Sequence, residues 1–165
     1  MYQRVCGCAW DGRSVTVKGF AAFWGWFARL MGTLAKLQEL WCQVAPMLLH
    51  GFVDRAQAEG MLARCRSGTF LVRFASRAQH AGWLAVSFKD RASGGGGADA
   101  NENEEQDLGG RVEHCLIRVD ADGFVIFFAD SGMKYPSLQE LVQQCNKFRF
   151  LWPDVPKETA FLRSY

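Results

Sequence analysis

The sequence predicts an α+β fold in which a central antiparallel β-sheet is flanked by two helices and preceded by an α-helical segment. The first observation is a set of four apolar runs between turn residues, at 69–75, 82–89, 111–119 and 124–129. The second is a helix start signal on each side of that set. The third is a longer helical pattern ahead of all of them. The chain has 165 residues, enough to bury one core.

The N-terminal segment carries an apolar stripe whose members recur at steps of three and four residues, as on one face of an amphipathic helix. The stripe comprises Phe20, Phe23, Phe27, Leu30, Leu34, Leu37 and Trp41. Two interpretations are open: the stripe packs on a neighbouring element, or it forms an aromatic docking surface. Pro46 ends this helix and Gly51 opens a new unit. The sequence therefore predicts a helical segment at 1–50 and a second domain at 51–165.

Capping residues mark the two shorter helices. Asp54 is a candidate N-cap with Gln57 as its capping-box partner, which predicts a helix over about 55–65. Ser137 and Glu140 stand in the same relation ahead of a second apolar helical face. An Asp-Gly turn joins the last two of the four strands, which predicts a hairpin there.

Residues 91–110 differ in composition from the rest of the chain. They contain four consecutive glycines, five acidic residues and one basic residue, with no aromatic side chain. Such a segment cannot bury enough apolar surface to offset its ordering entropy, so we expect a disordered insertion between two strands. Outside it the chain has 18 basic and 12 acidic residues, a balance that suits an anionic ligand. The formal net charge of +2 indicates neither a nucleic acid nor a membrane surface as partner.

The cysteine pattern indicates free thiols. The six are Cys6, Cys8, Cys42, Cys65, Cys115 and Cys145. No second close pair completes a zinc site with the first two, so we expect no metal or cofactor. A secretory signal pattern is absent, and the most apolar stretch, at 20–31, is too short for a membrane span and contains Arg29. We expect an intracellular protein, in the cytoplasm and, as an open alternative, in the nucleus.

Arg73 is the most informative residue because it lies inside a run that otherwise reads as a buried strand. A guanidinium keeps its charge, and an unpaired buried charge is costly. Arg73 therefore needs an anion. Either the chain supplies an internal carboxylate as a structural ion pair, or a ligand brings the anion.

Four motifs, in order, resemble a known family. Residues 68–73 read GTFLVR, which is similar to G-[ST]-F-L-[VL]-R in the second strand of Src-homology-2 (SH2) domains. Residues 112–118 (VEHCLIR) resemble the V-x-H-[YF]-x-I strand of that family, and 123–126 (GFVI) resemble the next strand. Residues 135–142 (YPSLQELV) resemble the F-x-S-L-x-x-L-V start of its second helix. The resemblance implies the SH2 fold and phosphotyrosine as ligand.

A narrower resemblance lies at both ends. Residues 23–27 (FWGWF) are similar to the F-W-x-W-F of the STAT transcription factor linker domain, and 51–53 (GFV) to its junction with the SH2 domain. Residues 152–161 (WPDVPKETAF) resemble the segment that closes the STAT version. Together these matches cover about residues 20–161, whereas the middle strands resemble Src-like members more closely.

The resemblance implies a phosphotyrosine site built from five residues. Arg73 corresponds to the family arginine that grips the phosphate, and Arg55 to the helix position that reaches the phosphate and the ring. His114 corresponds to the histidine at the pocket wall, while Ser76 and Arg77 follow the arginine in the phosphate loop. Each also has a plainer interpretation: Arg55 as a solvated helix residue, His114 as a hydrogen-bonded core histidine, and Arg77 as a surface charge.

Beyond the phosphate, the resemblance implies a second, apolar pocket for the residues that follow the phosphotyrosine. Its expected lining is Cys115, Phe127, Met133, Tyr135 and Leu141. The expected function is a phosphotyrosine-peptide binding module that recruits partners or dimerises through phosphotyrosine. This fragment would bind neither nucleic acid nor membrane.

Two other functions compete with this one. Ala75 stands where the family often has a hydroxyl, which favours the alternative of a divergent SH2-fold domain that binds partners independently of phosphotyrosine. An enzyme would need a nucleophile and a base. His114 and Cys115 are adjacent on a predicted strand, so they point to opposite faces and cannot form a dyad there.

Overall fold

A computed structural model of the chain describes residues 15–42, 46–91, 110–128 and 131–161. The predicted disordered insertion lies outside the described residues except at its two ends, Arg91 and Gly110. Of the six cysteines, Cys42, Cys65, Cys115 and Cys145 fall inside the described ranges and are free thiols.

The N-terminal pattern forms two helices. Helix α1 (Val17–Lys36) begins after Thr16, whose hydroxyl oxygen accepts a hydrogen bond from the Gly19 N–H at 3.1 Å. It ends at Leu37, whose backbone N–H bonds to carbonyls three and four residues earlier. The short helix α2 (Gln38–Cys42) follows. The break falls at a leucine, so the sequence offered no glycine or proline to mark it.

The apolar stripe is divided between core and solvent. Towards the C-terminal end of α1, Leu30 and Leu37 are buried in the main core. Towards its N-terminal end, Phe20 is 54% exposed and Trp24 is 55% exposed. The second half of the helix therefore packs against the domain, and the first half leaves aromatic side chains exposed. The aromatic docking surface stays a prediction.

The sheet contains seven strands within the described residues, in the spatial order β5-β4-β3-β2-β1-β6-β7. They are β1 (Thr69–Phe74), β2 (Leu84–Lys89), β3 (Val112–Asp120), β4 (Gly123–Phe128), β5 (Ser131–Tyr135), β6 (Phe150–Leu151) and β7 (Val155–Pro156). All neighbours are antiparallel except β1 and β6. The predicted fold class is confirmed, with three strands more than the four apolar runs predicted.

Three helices follow α1 and α2. Helix α3 (Arg55–Leu62) begins with the predicted capping box: the Gln57 N–H donates to Asp54 Oδ1, and the Asp54 N–H donates to Gln57 Oε1, each at 2.9 Å. It is three residues shorter than predicted. Helix α4 (Leu138–Gln144) begins after Ser137, whose hydroxyl accepts from the Glu140 N–H at 3.1 Å. Helix α5 (Lys157–Phe161) ends the described chain.

The two faces of the sheet bury different partners. Side chains of directly paired residues share a face, and they alternate along each strand. Phe70, Val72 and Phe74 of β1 point into the main core, which also holds residues of α1 and α4. Leu71 points to the other face, where it packs with Ala58 and Leu62 of α3. Arg73 shares that face with Leu71, so it lies on the α3 side of the sheet.

Residues ahead of the predicted boundary at residue 51 belong to the sheet by their contacts. Leu49 forms an isolated parallel bridge with Val72, and the His50 N–H donates to the Val72 carbonyl at 2.7 Å. Leu48 is fully buried in the main core. These contacts attach residues 48–50 to β1.

The closing segment is bonded to both ends of the domain. Lys157 Nζ donates to the carbonyls of Val142, Gln143 and Cys145 at 3.3, 2.8 and 3.1 Å, which satisfies the C-terminal end of α4. Trp152 Nε1 donates to the Met61 carbonyl on α3 at 3.1 Å. The segment therefore connects the two flanking helices, α3 and α4, to each other and to the edge of the sheet.

Candidate functional site

Arg73 is a buried cation near the end of β1, with 5% of its surface exposed. Its Nε donates to Ser87 Oγ at 3.1 Å, and its Nη1 donates to the Phe74 carbonyl at 3.4 Å. Within the described residues it forms no salt bridge. Burial lowers the pKa of Arg73, because desolvation disfavours the charged form.

The guanidinium has unused donors. Its Nη2 has no hydrogen-bond partner among the described residues, and it is not among the buried side-chain atoms left without one, so it retains access to solvent. Of the two alternatives, an internal carboxylate within salt-bridge distance is not found in the described part of the chain. The arrangement provides a fixed positive charge that an incoming anion can meet.

A hydrogen-bonded network connects Arg73 to helix α3. Ser87 Oγ lies 2.8 Å from His114 Nδ1, and His114 Nε2 lies 3.1 Å from Glu59 Oε1. The same Glu59 oxygen accepts from Arg55 Nε at 2.9 Å. Ser87 faces His114 directly in the pairing of β2 with β3. The register therefore places Arg73, His114 and Arg55 in one continuous network.

The bonds of the network assign the tautomer of His114. Burial lowers the pKa of His114, and the charge of Arg55 acts in the same direction, so the ring is neutral near pH 7. With the proton on Nε2, the ring donates to Glu59 and accepts from the Ser87 hydroxyl at Nδ1. Ser87 Oγ then accepts from Arg73. In this arrangement each donor in the network meets one acceptor.

Arg55 is the exposed member of the site. Its side chain is 67% exposed, and that of Glu59 is 44% exposed. The pKa of Glu59 is lowered, first by the hydrogen bond from Arg55 and next by that from His114. The positive charge of Arg55 in turn lowers the pKa of Arg73, so the two guanidinium groups are close enough to interact electrostatically.

Ser76 and Arg77 lie in the loop after β1, and both are exposed. Neither side chain makes a hydrogen bond or ion pair with a described residue, so neither is brought into contact with Arg73. Ala75, where a hydroxyl was expected, is nearly buried, and its N–H donates to the Trp83 carbonyl at 3.0 Å. The structure therefore brings together Arg73, His114 and Arg55, with the two loop residues nearby in sequence.

The five residues predicted to line a second pocket are not brought together. Phe127 pairs with Leu116, the neighbour of Cys115, so it points to the opposite face and stacks on Trp83 at 5.9 Å. Leu141 is 0% exposed and belongs to the main core, where a peptide cannot reach it. Both predictions are corrected on these grounds.

The other three share the face opposite to Arg73. Cys115 is buried in the main core, Met133 on the edge strand β5 is largely exposed, and Tyr135 is half-buried against the core. Within this set, Met133 and Tyr135 are accessible to a ligand.

Ser87 and Glu59 were missed by the sequence reasoning. Ser87 is a fully buried polar residue in an apolar strand, which itself signals a buried partner. Glu59 lies one helical turn after Arg55, a spacing that places the two side chains together. Recognising either as part of the site required the strand register and the position of α3.

The site does not have the chemistry of a thiol enzyme. Burial raises the pKa of the Cys115 thiol to about 11, so it is not a thiolate near neutral pH. His114 and Cys115 point to opposite faces of β3. Among the described residues, no group of three metal-ligating side chains lies close enough to hold an ion. None of the described helices has the length and apolarity of a membrane span.

Two curated relatives match the sequence. "SH2 domain-containing protein A" of Arabidopsis thaliana is 28% identical over 76 residues, which is 45% of this chain and 11% of that protein. "Signal transducer and activator of transcription 4" of Mus musculus is 26% identical over 144 residues, which is 87% of this chain and 17% of that protein. The chain therefore spans less than a fifth of either relative.

Two solved structures of the VAV1 SH2 domain also match, each with 25% sequence identity over 61% of this chain and 57% of that chain. One contains a tyrosine-phosphorylated peptide from SLP76 and has a TM-score of 0.39, and the other, of the human protein, has a TM-score of 0.37.

A family comparison covers the region that holds the site. The family model described as "SH2 domain" matches residues 48–144, more than half of the chain. The match begins where residues 48–50 join the sheet, and it includes β1 with Arg73, β3 with His114 and all of α3. SH2 domains are binding modules that take phosphotyrosine peptides. The match at residues 48–144 thus shows that this chain belongs to the SH2 domain family.

Proposed function

We propose that this chain binds tyrosine-phosphorylated peptides, with Arg73 as the phosphate ligand at the base of the pocket. The observation that carries the proposal is the burial of the Arg73 guanidinium with no carboxylate within salt-bridge distance in the described residues. A phosphotyrosine brings a charge of about −1.5 to −2 and three acceptor oxygens. Such a group matches the unused donors of Arg73, which can meet two oxygens with parallel N–H bonds.

The depth of Arg73 gives the selectivity. A phosphate on a phenyl ring reaches a guanidinium at the base of a pocket, whereas the short side chain of phosphoserine does not. Arg55 stands at the exposed rim, where its guanidinium can meet the phosphate or stack on the ring with a cation–π interaction of about 0.5–2 kcal/mol. Ser76 and Arg77 are unpartnered in the described structure and supply further donors from the loop after β1.

A finer part of the proposal concerns the ends of the chain. Helix α1 and the closing segment lie outside the family match, yet both pack against the domain. Their sequences are similar to the STAT linker and to the STAT closing segment, and the mouse relative covers 87% of this chain. We propose that the chain is the end of a STAT-like linker joined to its SH2 domain. It would act inside the cell by recruiting partners or by phosphotyrosine-dependent dimerisation.

The test is a titration of a degenerate phosphotyrosine peptide pool with Arg73 variants. Arg73→Ala should lose about 2–5 kcal/mol of binding free energy, because truncation removes the phosphate's main partner. Arg73→Lys keeps the charge and loses the planar guanidinium, so its affinity for the peptide pool should lie between those of the wild type and Arg73→Ala. Arg64→Ala is the matched control, since Arg64 is exposed and follows the opposite end of α3 from Arg55.

Circular dichroism would establish that each variant is folded. If folded Arg73→Ala protein binds the pool as tightly as the wild type, Arg73 is not the phosphate ligand. If Arg73→Ala and Arg64→Ala lose the same affinity for the peptide pool, binding depends on the net charge of the protein and not on a pocket at Arg73.

A further inference from the structure

The site contains an acid at the place where the proposed ligand is an anion. Glu59 Oε1 accepts from Arg55 Nε at 2.9 Å and lies 3.1 Å from His114 Nε2. One carboxylate oxygen therefore occupies donors of two groups proposed to face the phosphate. The bond to Arg55 lies within one turn of α3, and the bond to His114 joins α3 to strand β3, 55 residues further along the chain.

The carboxylate is charged throughout the neutral range, because the hydrogen bonds from Arg55 and His114 lower its pKa. Its side chain is 44% exposed, so its charge is screened by water and salt but is not removed. A phosphate that approaches Arg55 must therefore share that guanidinium with Glu59 and sit beside a like charge.

We propose that Glu59 is a built-in competitor of the phosphate, which occupies Arg55 and His114 in the unliganded protein and limits the affinity of the site. The inference rests on the proposed function, since it concerns the same pocket. In the complex the phosphate and Glu59 share the Arg55 guanidinium, so the net gain from Arg55 is smaller than its position suggests. The affinity of the site for phosphotyrosine peptides is therefore reduced by the negative charge of Glu59.

The variant that isolates the charge is Glu59→Gln. A glutamine Oε1 still accepts from Arg55 and His114, so the network keeps its geometry while the negative charge is lost. Glu59→Ala removes the charge and the acceptor together. Glu113→Gln is the matched control: Glu113 also pairs with an arginine, Arg111, through a hydrogen bond of 2.6 Å, and it is paired with Phe88 on the opposite face of the sheet.

The experiment measures the dissociation constant of one phosphotyrosine peptide pool for the wild type and these variants at low and high salt. Glu59→Gln should bind about three- to fivefold more tightly at low salt, the scale of an exposed charge interaction. The gain should shrink at high salt because screening weakens the repulsion in the wild type. Glu113→Gln should bind like the wild type.

The outcomes separate the two proposals. If the wild type binds only the phosphorylated pool and Glu59→Gln is no tighter, the competitor role is wrong while the proposed function stands. Weaker binding by both Glu59 variants would assign Glu59 a positioning role instead, and would also overturn the inference. If neither the wild type nor Glu59→Gln distinguishes the phosphorylated pool from the unphosphorylated pool, the proposed function fails and the inference with it.

Discussion

Arg73 should destabilise the fold that holds it. Its guanidinium is 5% exposed, and its protein bonds are one to the Ser87 hydroxyl at 3.1 Å and a long one to the Phe74 carbonyl. No carboxylate within salt-bridge distance offsets the lost hydration in the described residues. Replacing Arg73 with methionine, an unbranched apolar side chain, should therefore make the free protein more stable.

The size of the effect follows from what is lost and gained. Replacing a buried ion pair with packed apolar side chains is often neutral or stabilises a protein by about 1–4 kcal/mol, and Arg73 has no salt-bridge partner in the described residues. The bond to Ser87 is lost, which costs on the order of 1 kcal/mol, and Ser87 keeps its bond to His114 at 2.8 Å. The net expectation is a gain of about 1–2 kcal/mol in the free energy of unfolding for Arg73→Met. For a domain of this size the melting temperature would rise by about 2–8 °C.

The assay is thermal and urea unfolding of the wild type and Arg73→Met, each with and without phenyl phosphate. The variant should melt higher without ligand, and phenyl phosphate should raise the melting temperature of the wild type alone, because it binds its folded state. A variant that melts clearly below the wild type would contradict the reasoning. Arg73 would then be a structural residue whose internal partners outweigh its desolvation.

Two further predictions concern residues outside the site. Lys157→Met should lower the free energy of unfolding by about 1–2 kcal/mol in urea melts, because it leaves three carbonyls at the end of α4 without their charged donor. An unchanged urea midpoint would mean that the bonds from Lys157 to α4 do not stabilise the domain. The half-buried His50 ring lies edge-on against Trp152 at 5.5 Å, and both of its ring nitrogens are buried without a well-formed hydrogen bond. Burial lowers its pKa below 6.5, with the carbonyls of Leu48 and Val72 opposing weakly, so the unfolded chain takes up its proton first as pH falls. Stability should therefore be complete above pH 6.5 and decrease below it, and His50→Phe should lose less stability between pH 7 and pH 5 than the wild type; identical slopes would contradict the assignment.

The local parts of the fold were predictable from sequence because their causes are local. The caps at Asp54 and Ser137 depend on residues three positions apart, and the structure has both helices there, with the full capping box at Asp54. The edge strands depend on distant partners. Strand β5 is short and largely exposed, and β6 and β7 have two residues each, so pairing with β4 and β1 defines them.

The site was predictable to the same extent. Arg73 is conspicuous because a charge stands inside an apolar strand, and His114 because its strand matches a family pattern. Ser87 becomes part of the site through the register that pairs it with Leu71 and His114. The second pocket was misjudged for a related reason. Placing Phe127 required knowing which face of the sheet each strand residue occupies.

The most direct test of the central claim is a fluorescence-polarisation titration of the wild-type chain against a degenerate phosphotyrosine peptide pool, with the unphosphorylated pool as control. The account predicts saturable binding of the phosphorylated pool alone, reversed by phenyl phosphate, because the anion required by Arg73 comes from the ligand. Equal binding of both pools, or no binding of either, would contradict it.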